Sequence, residues 1–318
     1  MKKIIELTIK RLFLGFATII VISMLIFIGV EALPGDLAET ILGQNATPET
    51  VEAFRRELKL DLPPHVRYVG WLGDFIQGDL GNSLASNRPI SDMIGWRFSN
   101  TMFLAVVSAA VAVPIALMLG ILAALYRNTL FDKCISIVTL SFISFPEFFI
   151  AYILIALFSV KFQIFPSIAN IDDNMSLGQK LYSVVLPCLT LTMVVTAHMM
   201  RQTRAAIINI LSSAYIEMAR LKGLKRLRVV LFHAFPNSLS PVINVVALNM
   251  AYLIVGVVIV EVVFVYPGLG QLMVDSVAKR DLPVVQASGL IFAAVYVLLN
   301  LSADLLSIIT NPRLLNPK

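Results

Sequence analysis

Six long stretches of this chain are apolar enough to cross a lipid bilayer, and that recurrence limits its fold more than any other feature. A helix rises 1.5 Å per residue, so about 20 apolar residues cover a hydrocarbon core roughly 30 Å thick. The runs occupy residues 12–30, 101–126, 134–160, 186–200, 241–265 and 284–310. The third contains Glu147, and the fourth is short enough that its helix is expected to begin earlier, near Leu181. Composition agrees: 58% of residues are hydrophobic and 14% charged, against roughly 45–50% and about 25% in a soluble domain. The expectation is an all-α, polytopic membrane protein with six transmembrane helices.

The first run could be read as a signal peptide, with Val30-Glu31-Ala32 as a weak cleavage site. It exceeds the 7–15 apolar residues of a signal core and is read as a retained span. Orientation follows from the positive residues, which resist translocation when they lie in short loops. Fifteen of the 25 lysines and arginines fall on one side: Lys2, Lys3, Lys10 and Arg11; Arg127 and Lys133; Arg201, Arg204, Arg220, Lys222, Lys225, Arg226 and Arg228; Arg313 and Lys318. Both termini of this multi-pass chain are therefore expected in the cytoplasm. The net charge of +5 is explained by this asymmetry and implies no nucleic acid partner. Cys134 and Cys188 lie in apolar runs without zinc-ligand spacing and read as packing residues.

Four regions follow. Residues 1–33 hold the N-terminal cytoplasmic end and first span, 34–100 a periplasmic helical cap, 101–310 a core of five spans with a cytoplasmic loop at 201–240, and 311–318 a cytoplasmic tail. In the cap, Thr47 and Pro48 carry the signature of a helix start, ahead of a short amphipathic helix that ends near Asp61-Leu62-Pro63-Pro64. A second helix is expected over 65–76, and Gly78-Asp79-Leu80-Gly81 turns the chain back. A plain solvated loop is the alternative there. Within the 201–240 loop, a helix is expected over 214–224 with its end at Gly223, where a left-handed cap costs little, then a second helix over 226–235 stopped by Pro236. This knob is suited either to docking a partner protein or to resting on anionic headgroups.

Glu217-Met218-Ala219, Gly223 after three intervening residues and Pro236 after twelve more resemble the EAA loop of ABC importer permeases. Met218 stands where that loop usually has alanine, and His233 where it has an apolar residue. His233-Ala234-Phe235-Pro236-Asn237 is similar to the variant of the dipeptide, oligopeptide, glutathione and nickel branch. So are Pro34-Gly35-Asp36, Leu58-Lys59-Leu60-Asp61, Tyr68 with Trp71, Gly78-Asp79-Leu80-Gly81-Asn82-Ser83, Glu261-Val262-Val263-Phe264 with Tyr266-Pro267-Gly268-Leu269-Gly270, Arg280-Asp281-Leu282-Pro283 and Asn311-Pro312-Arg313. The resemblance implies a type I ABC importer permease-like fold that translocates short peptides or a related small solute. It implies as partners a second homologous permease, two ATP-binding subunits and a periplasmic solute-binding protein. Glu217, Ala219, Arg220, Gly223, Leu224 and Pro236 would form or flank the coupling element seated on an ATPase. No Gly-rich phosphate loop with its Lys and Ser/Thr occurs, so ATP with Mg belongs to the partner subunits and this chain is expected to bind no cofactor and catalyse nothing.

Glu147, Glu261 and Asp304 lie in or at the edge of apolar runs, where a carboxylate is costly unless it meets water or a partner. Each reads either as a solute or cation contact or as a paired or helix-capping group. The second reading suits Glu261 and Asp304 better. Glu147 follows Pro146, and a broken third helix would expose it to the pathway. His198 and His233 stand alone and make poor metal ligands. The rival function is a proton-coupled secondary transporter using these carboxylates, which would require internal repeats that the sequence lacks.

Overall fold

A computed structural model of the chain describes residues 2–32, 46–57, 60–172 and 174–310. Thirteen helices follow in order among the described residues. They are α1 (Lys2–Glu31), α2 (Pro48–Glu57), α3 (Pro64–Ile76), α4 (Ile90–Leu125), α5 (Leu130–Ser144), α6 (Glu147–Leu154), α7 (Leu177–Ser183), α8 (Val185–Leu211), α9 (Ala214–Leu221), α10 (Arg226–Val229), α11 (Phe235–Val263), α12 (Leu269–Ala278) and α13 (Leu282–Thr310). Those described residues contain no β-strand, only an isolated antiparallel bridge between Asn82 and Pro89. The motif residues Pro34-Gly35-Asp36, Leu58-Lys59 and Asn311-Pro312-Arg313 lie outside the described residues.

Four stretches are long and apolar enough to span a membrane unaided: Thr8–Glu31, Ile90–Leu125, Arg226–Val263 and Leu282–Leu306. Two bent helix pairs pass the same length and hydropathy test and bring the candidate spans to as many as six. Leu130–Ser144 meets Glu147–Lys161 at 103°, and Leu177–Ser183 meets Val185–Leu211 at 59°. Pro146 explains the sharper bend, because it has no N–H to donate and forces Phe145 out of helical geometry, to φ −95° and ψ 138°. The chain then restarts as α6 and widens into a π-helical turn over Ile155–Lys161.

Three expected boundaries are corrected. The basic loop does not begin at Arg201: α8 continues to Leu211 with Thr203 and Ile207 fully buried. Arginine at 201 and 204 does not end a helix whose other face is packed. Pro236 does not stop a helix either. It sits in the first turn of α11, and the chain runs from α10 into the membrane span through it. A π-helical turn at Val230–Ala234 absorbs the register change where the proline donor is missing. The first span of the core likewise starts at Ile90 rather than 101.

The main core lies where α4, α6, α8 and α11 converge, built from Leu104, Ala112, Ala116, Ile150, Leu154, Leu191, Val195, Met199, Leu253, Val257 and Val260. Small residues set the spacing: a Cβ on Gly120 of α4 would lie 2.9 Å from Thr203 of α8. On the outside of this core, α1 packs along α13, with Gly15 against Val297 and Ile26 against Gly289. An Arg11–Asp304 ion pair of 2.8 Å joins the two helices at one end, while Phe13, Phe16 and Leu25 stay exposed as lipid-facing side chains. At the other end Phe27 of α1 meets Tyr68 and Trp71 of α3, the Ser23 and Tyr68 hydroxyls share a 2.8 Å hydrogen bond, and Arg67 pairs with Glu31. The cap helix α3 is thus tied to the first span.

Candidate functional site

At the end of the bundle opposite that cap, α9 folds back beneath the spans. Its inner residues Ile216 and Ala219 are buried against Ala124 and Leu125 at the end of α4, Ile207 of α8, and Val229, Val230 and Ala234 leading into α11. A Schellman motif closes the helix: the Gly223 N–H donates to Arg220 O at 2.9 Å and the Leu224 N–H to Ala219 O at 3.3 Å. Gly223 has φ +77°, the conformation a side chain would strain, and Leu224 packs into the same apolar cluster.

The outer face is different in kind. Tyr215, Met218, Leu221, Leu227 and Phe232 are exposed, beside Glu217 and Arg220, which are also exposed. Lys225, Leu227, Arg228, Leu231, Phe232 and His233 line an open groove of about 450 Å³. Pro236 is also exposed. The His233 carbonyl accepts from Asn237 Nδ2 at 2.7 Å and from the Tyr215 hydroxyl at 3.4 Å, which joins α9 to the π turn. The structure therefore brings Glu217, Ala219, Arg220, Gly223, Leu224 and Pro236 into one module.

An ion pair absent from the sequence reading braces this module. Arg204 of α8 donates from Nε and Nη2 to both oxygens of Asp132, each at 2.8 Å, and Asp132 also accepts from the Asn128 N–H at 3.0 Å. Asp132 is buried, so the α4–α5 turn is bolted to α8 about one turn before Ile207. The local signal is Thr129, whose side chain caps α5 by accepting from Asp132 N. The pairing with a residue 72 positions away leaves no local trace.

The intramembrane carboxylates fall into two groups. Glu261 is fully buried and caps α12: its Oε2 accepts from the N–H groups of Gly270 (2.7 Å) and Gln271 (3.1 Å), and its Oε1 from the Thr101 hydroxyl (2.6 Å). Thr101 in turn accepts from Leu269 N at 2.8 Å, so the first three N–H groups of α12 are all satisfied. A Cβ on Gly268 would run into the carboxyl group, and one on Gly270 would sit 2.8 Å from it. Tyr266 donates to Asn100 O at 2.7 Å, and burial pushes its phenol up from the ordinary range so that it stays a donor. The linker holds Val265 at φ +51°, which a β-branched residue adopts only when its surroundings impose it.

Asp281 is equally well satisfied, accepting from the Ser83 hydroxyl at 2.5 Å and from the Leu84 and Ala85 N–H groups at 3.0 and 3.4 Å. It fastens the turn that Gly78 and Gly81 open to the start of α13. Asp304 is the paired group already described. For Glu261 and Asp304 the capping and paired readings therefore hold.

Glu147 differs. It is 8% exposed, it is the first residue of α6 after the bend, and its Oε2 accepts no hydrogen bond. Both carboxyl oxygens pack on α11, 3.0 Å from where a Cβ of Gly256 would be. The Tyr252 hydroxyl lies beside the carboxyl, and the Tyr252 ring meets His198 at 5.8 Å between centroids.

Bent spans, a braced knob on one membrane face and a tethered cap on the other define a helical transport permease that works with other subunits. The chain belongs to the family of binding-protein-dependent transport system inner membrane components, whose model matches residues 116–316, with the N-terminal model of that family matching residues 4–105. It is 38% identical over 304 residues to the glutathione transport system permease protein GsiC of Escherichia coli, covering 96% of this chain and 97% of that protein. The same identity and coverage hold for GsiC of Shigella dysenteriae. In structure it is similar to a chain of the inward-facing MetNI methionine ABC transporter, with a TM-score of 0.56, 17% identity, and coverage of 69% of this chain and 96% of that one. This is a multi-pass inner-membrane permease subunit of an ABC importer that functions with other ABC subunits. It is not an enzyme, ATP hydrolysis residing on separate subunits, and it is not the proton-coupled secondary transporter weighed as the alternative.

Proposed function

We propose that the chain conducts short peptides or a related small solute inward. On this reading it pairs with a second, homologous permease, takes cargo from a periplasmic solute-binding protein, and is driven by two ATP-binding subunits that hold the ATP and Mg. The observation that carries the cargo class is the near full-length similarity to a permease named for glutathione, itself a peptide.

The knob is the coupling element. Glu217 and Arg220 face outward to the ATPase, Ala219 and Leu224 face inward, Gly223 keeps the corner tight, and Pro236 starts the span that receives the motion. Because the inner face of α9 packs on the ends of α4, α8 and α10–α11, a push on the knob is delivered to several spans together. A rigid body of this kind suits switching between two packed states. Glu147, at the bend of the third span, lines the path.

Extraction of a tagged chain from its native membrane in mild detergent, with mass spectrometry of what copurifies, tests the assembly. A second permease with ATP-binding subunits is expected; recovery of this chain alone, still active in uptake, overturns it. Gly223→Val strains a residue at φ +77° by about 1–2 kcal/mol. That variant is expected to remain membrane-inserted with uptake lost, and normal uptake removes the role assigned to the corner.

A further inference from the structure

We infer that Glu147, Tyr252 and His198 form a subsite for a positively charged amino group on the cargo, an inference that rests on Glu147 lining the path. The fold treats its other buried carboxylates differently. Glu261, Asp281 and Asp132 each have both oxygens engaged by N–H, hydroxyl or guanidinium donors. Glu147 is nearly as buried and keeps one oxygen with no donor at all. A polar oxygen left unpaired in an apolar span carries a large desolvation cost, so Glu147 is not placed for the stability of the bundle. Its missing partner is one that comes and goes.

The surroundings select the partner's chemistry. An ammonium group has three donors and no acceptor, which matches a free carboxylate oxygen beside the Tyr252 hydroxyl, and aromatic faces attract cations further. Tyr252 is 44% exposed, so the side chain whose hydroxyl meets the carboxyl is open on its other side, while its contact with His198 holds the ring in place. Gly256 provides the room: the carboxyl group lies where a side chain on α11 would stand. A zinc-type site takes at least three ligating side chains, and among the described residues no group of three His, Cys, Asp or Glu exists. The subsite is therefore suited to the free amino terminus of a peptide or another primary amine, recognised inside the membrane in addition to any selection by the binding protein.

The test needs no knowledge of the cargo. In a chain with Cys134 and Cys188 replaced, Val255→Cys introduces one thiol on α11, at a position 57% exposed and within a turn of Tyr252 and Gly256. The complete complex is treated with 2-aminoethyl methanethiosulfonate, which carries an ammonium, and with its sulfonatoethyl analogue, which carries a negative charge. With Glu147 present the ammonium reagent is expected to react faster, and n-butylammonium to slow it while N-butylacetamide does not. In Glu147→Gln the ratio of the two rates is expected to fall roughly tenfold, the size of one unit charge at close range in a partly screened site, and the butylammonium protection to vanish. If the introduced thiol reacts but ratio and protection are unchanged in Glu147→Gln, the path reading stands and the amino-group subsite is overturned. If the thiol reacts in the isolated chain and is inert to both reagents in the complete complex, a partner subunit covers this face and both readings fall.

Discussion

Glu261 and Glu147 are both buried carboxylates, one on α11 and the other packed against it, yet they are held in opposite ways. Around Glu261 the chain builds a closed set of donors from two separate helices: the Thr101 hydroxyl of α4, and the N–H groups of Gly270 and Gln271 of α12. It accepts the strained Val265 and two obligatory glycines to do so. Around Glu147 it leaves an oxygen bare and an aromatic ring half exposed. The difference separates a carboxylate that holds helices together from one that the fold leaves without a donor, to which we assign a transient partner.

The comparison can be broken most easily at Glu261. Glu261→Ala leaves two N–H groups and a hydroxyl buried without an acceptor, and a loss of about 3–5 kcal/mol is expected, read as a collapse in recovery and thermal stability of the detergent-extracted chain. Gly268→Ala inserts a methyl into the carboxyl group and should cost about 1–3 kcal/mol; unchanged melting would mean that the α11–α12 linker is not fixed as described. Val265→Asn acts in the other direction. Asparagine tolerates positive φ better than a β-branched residue, so a gain of about 1 kcal/mol is expected, measurable as a higher melting temperature. Glu147→Gln sharpens the contrast, with no loss of stability expected, because no donor is orphaned and an ionisable group with an unpaired oxygen is removed. A large loss there would place Glu147 in the same class as Glu261.

Much of the architecture is legible in the runs of apolar residues, because lipid imposes a length and an absence of charge that no soluble helix needs. The knob is legible too: Gly223 marks a left-handed corner by residue type alone, and the structure has it at φ +77°. Boundaries defined by charge are less reliable. Arg204 reads as loop because a lone arginine is costly in a span, but Asp132 pairs with it from a segment 72 residues away. Pro236 reads as a stop because proline removes a donor, but a widened turn just before it accommodates the loss. A paired or capping role for Glu261 is legible from its place in an apolar run, but the identity of its donors, residues 101, 270 and 271, is not, because the tertiary fold assembles them. Periodicity reports which face is apolar; it carries no information on which distant group completes a polar one.

The two faces of α9 obey separate constraints. Ile216 and Ala219 are locked by the ends of the spans, whereas Tyr215, Met218, Leu221 and the neighbouring Phe232 stand open. Substitutions on the open face leave the packing of the bundle intact, so partner choice and span packing can drift independently over evolutionary time. On the coupling role proposed for this knob, such a permease could be re-matched to a different motor by rewriting one exposed strip of side chains, with the machinery above it inherited unchanged.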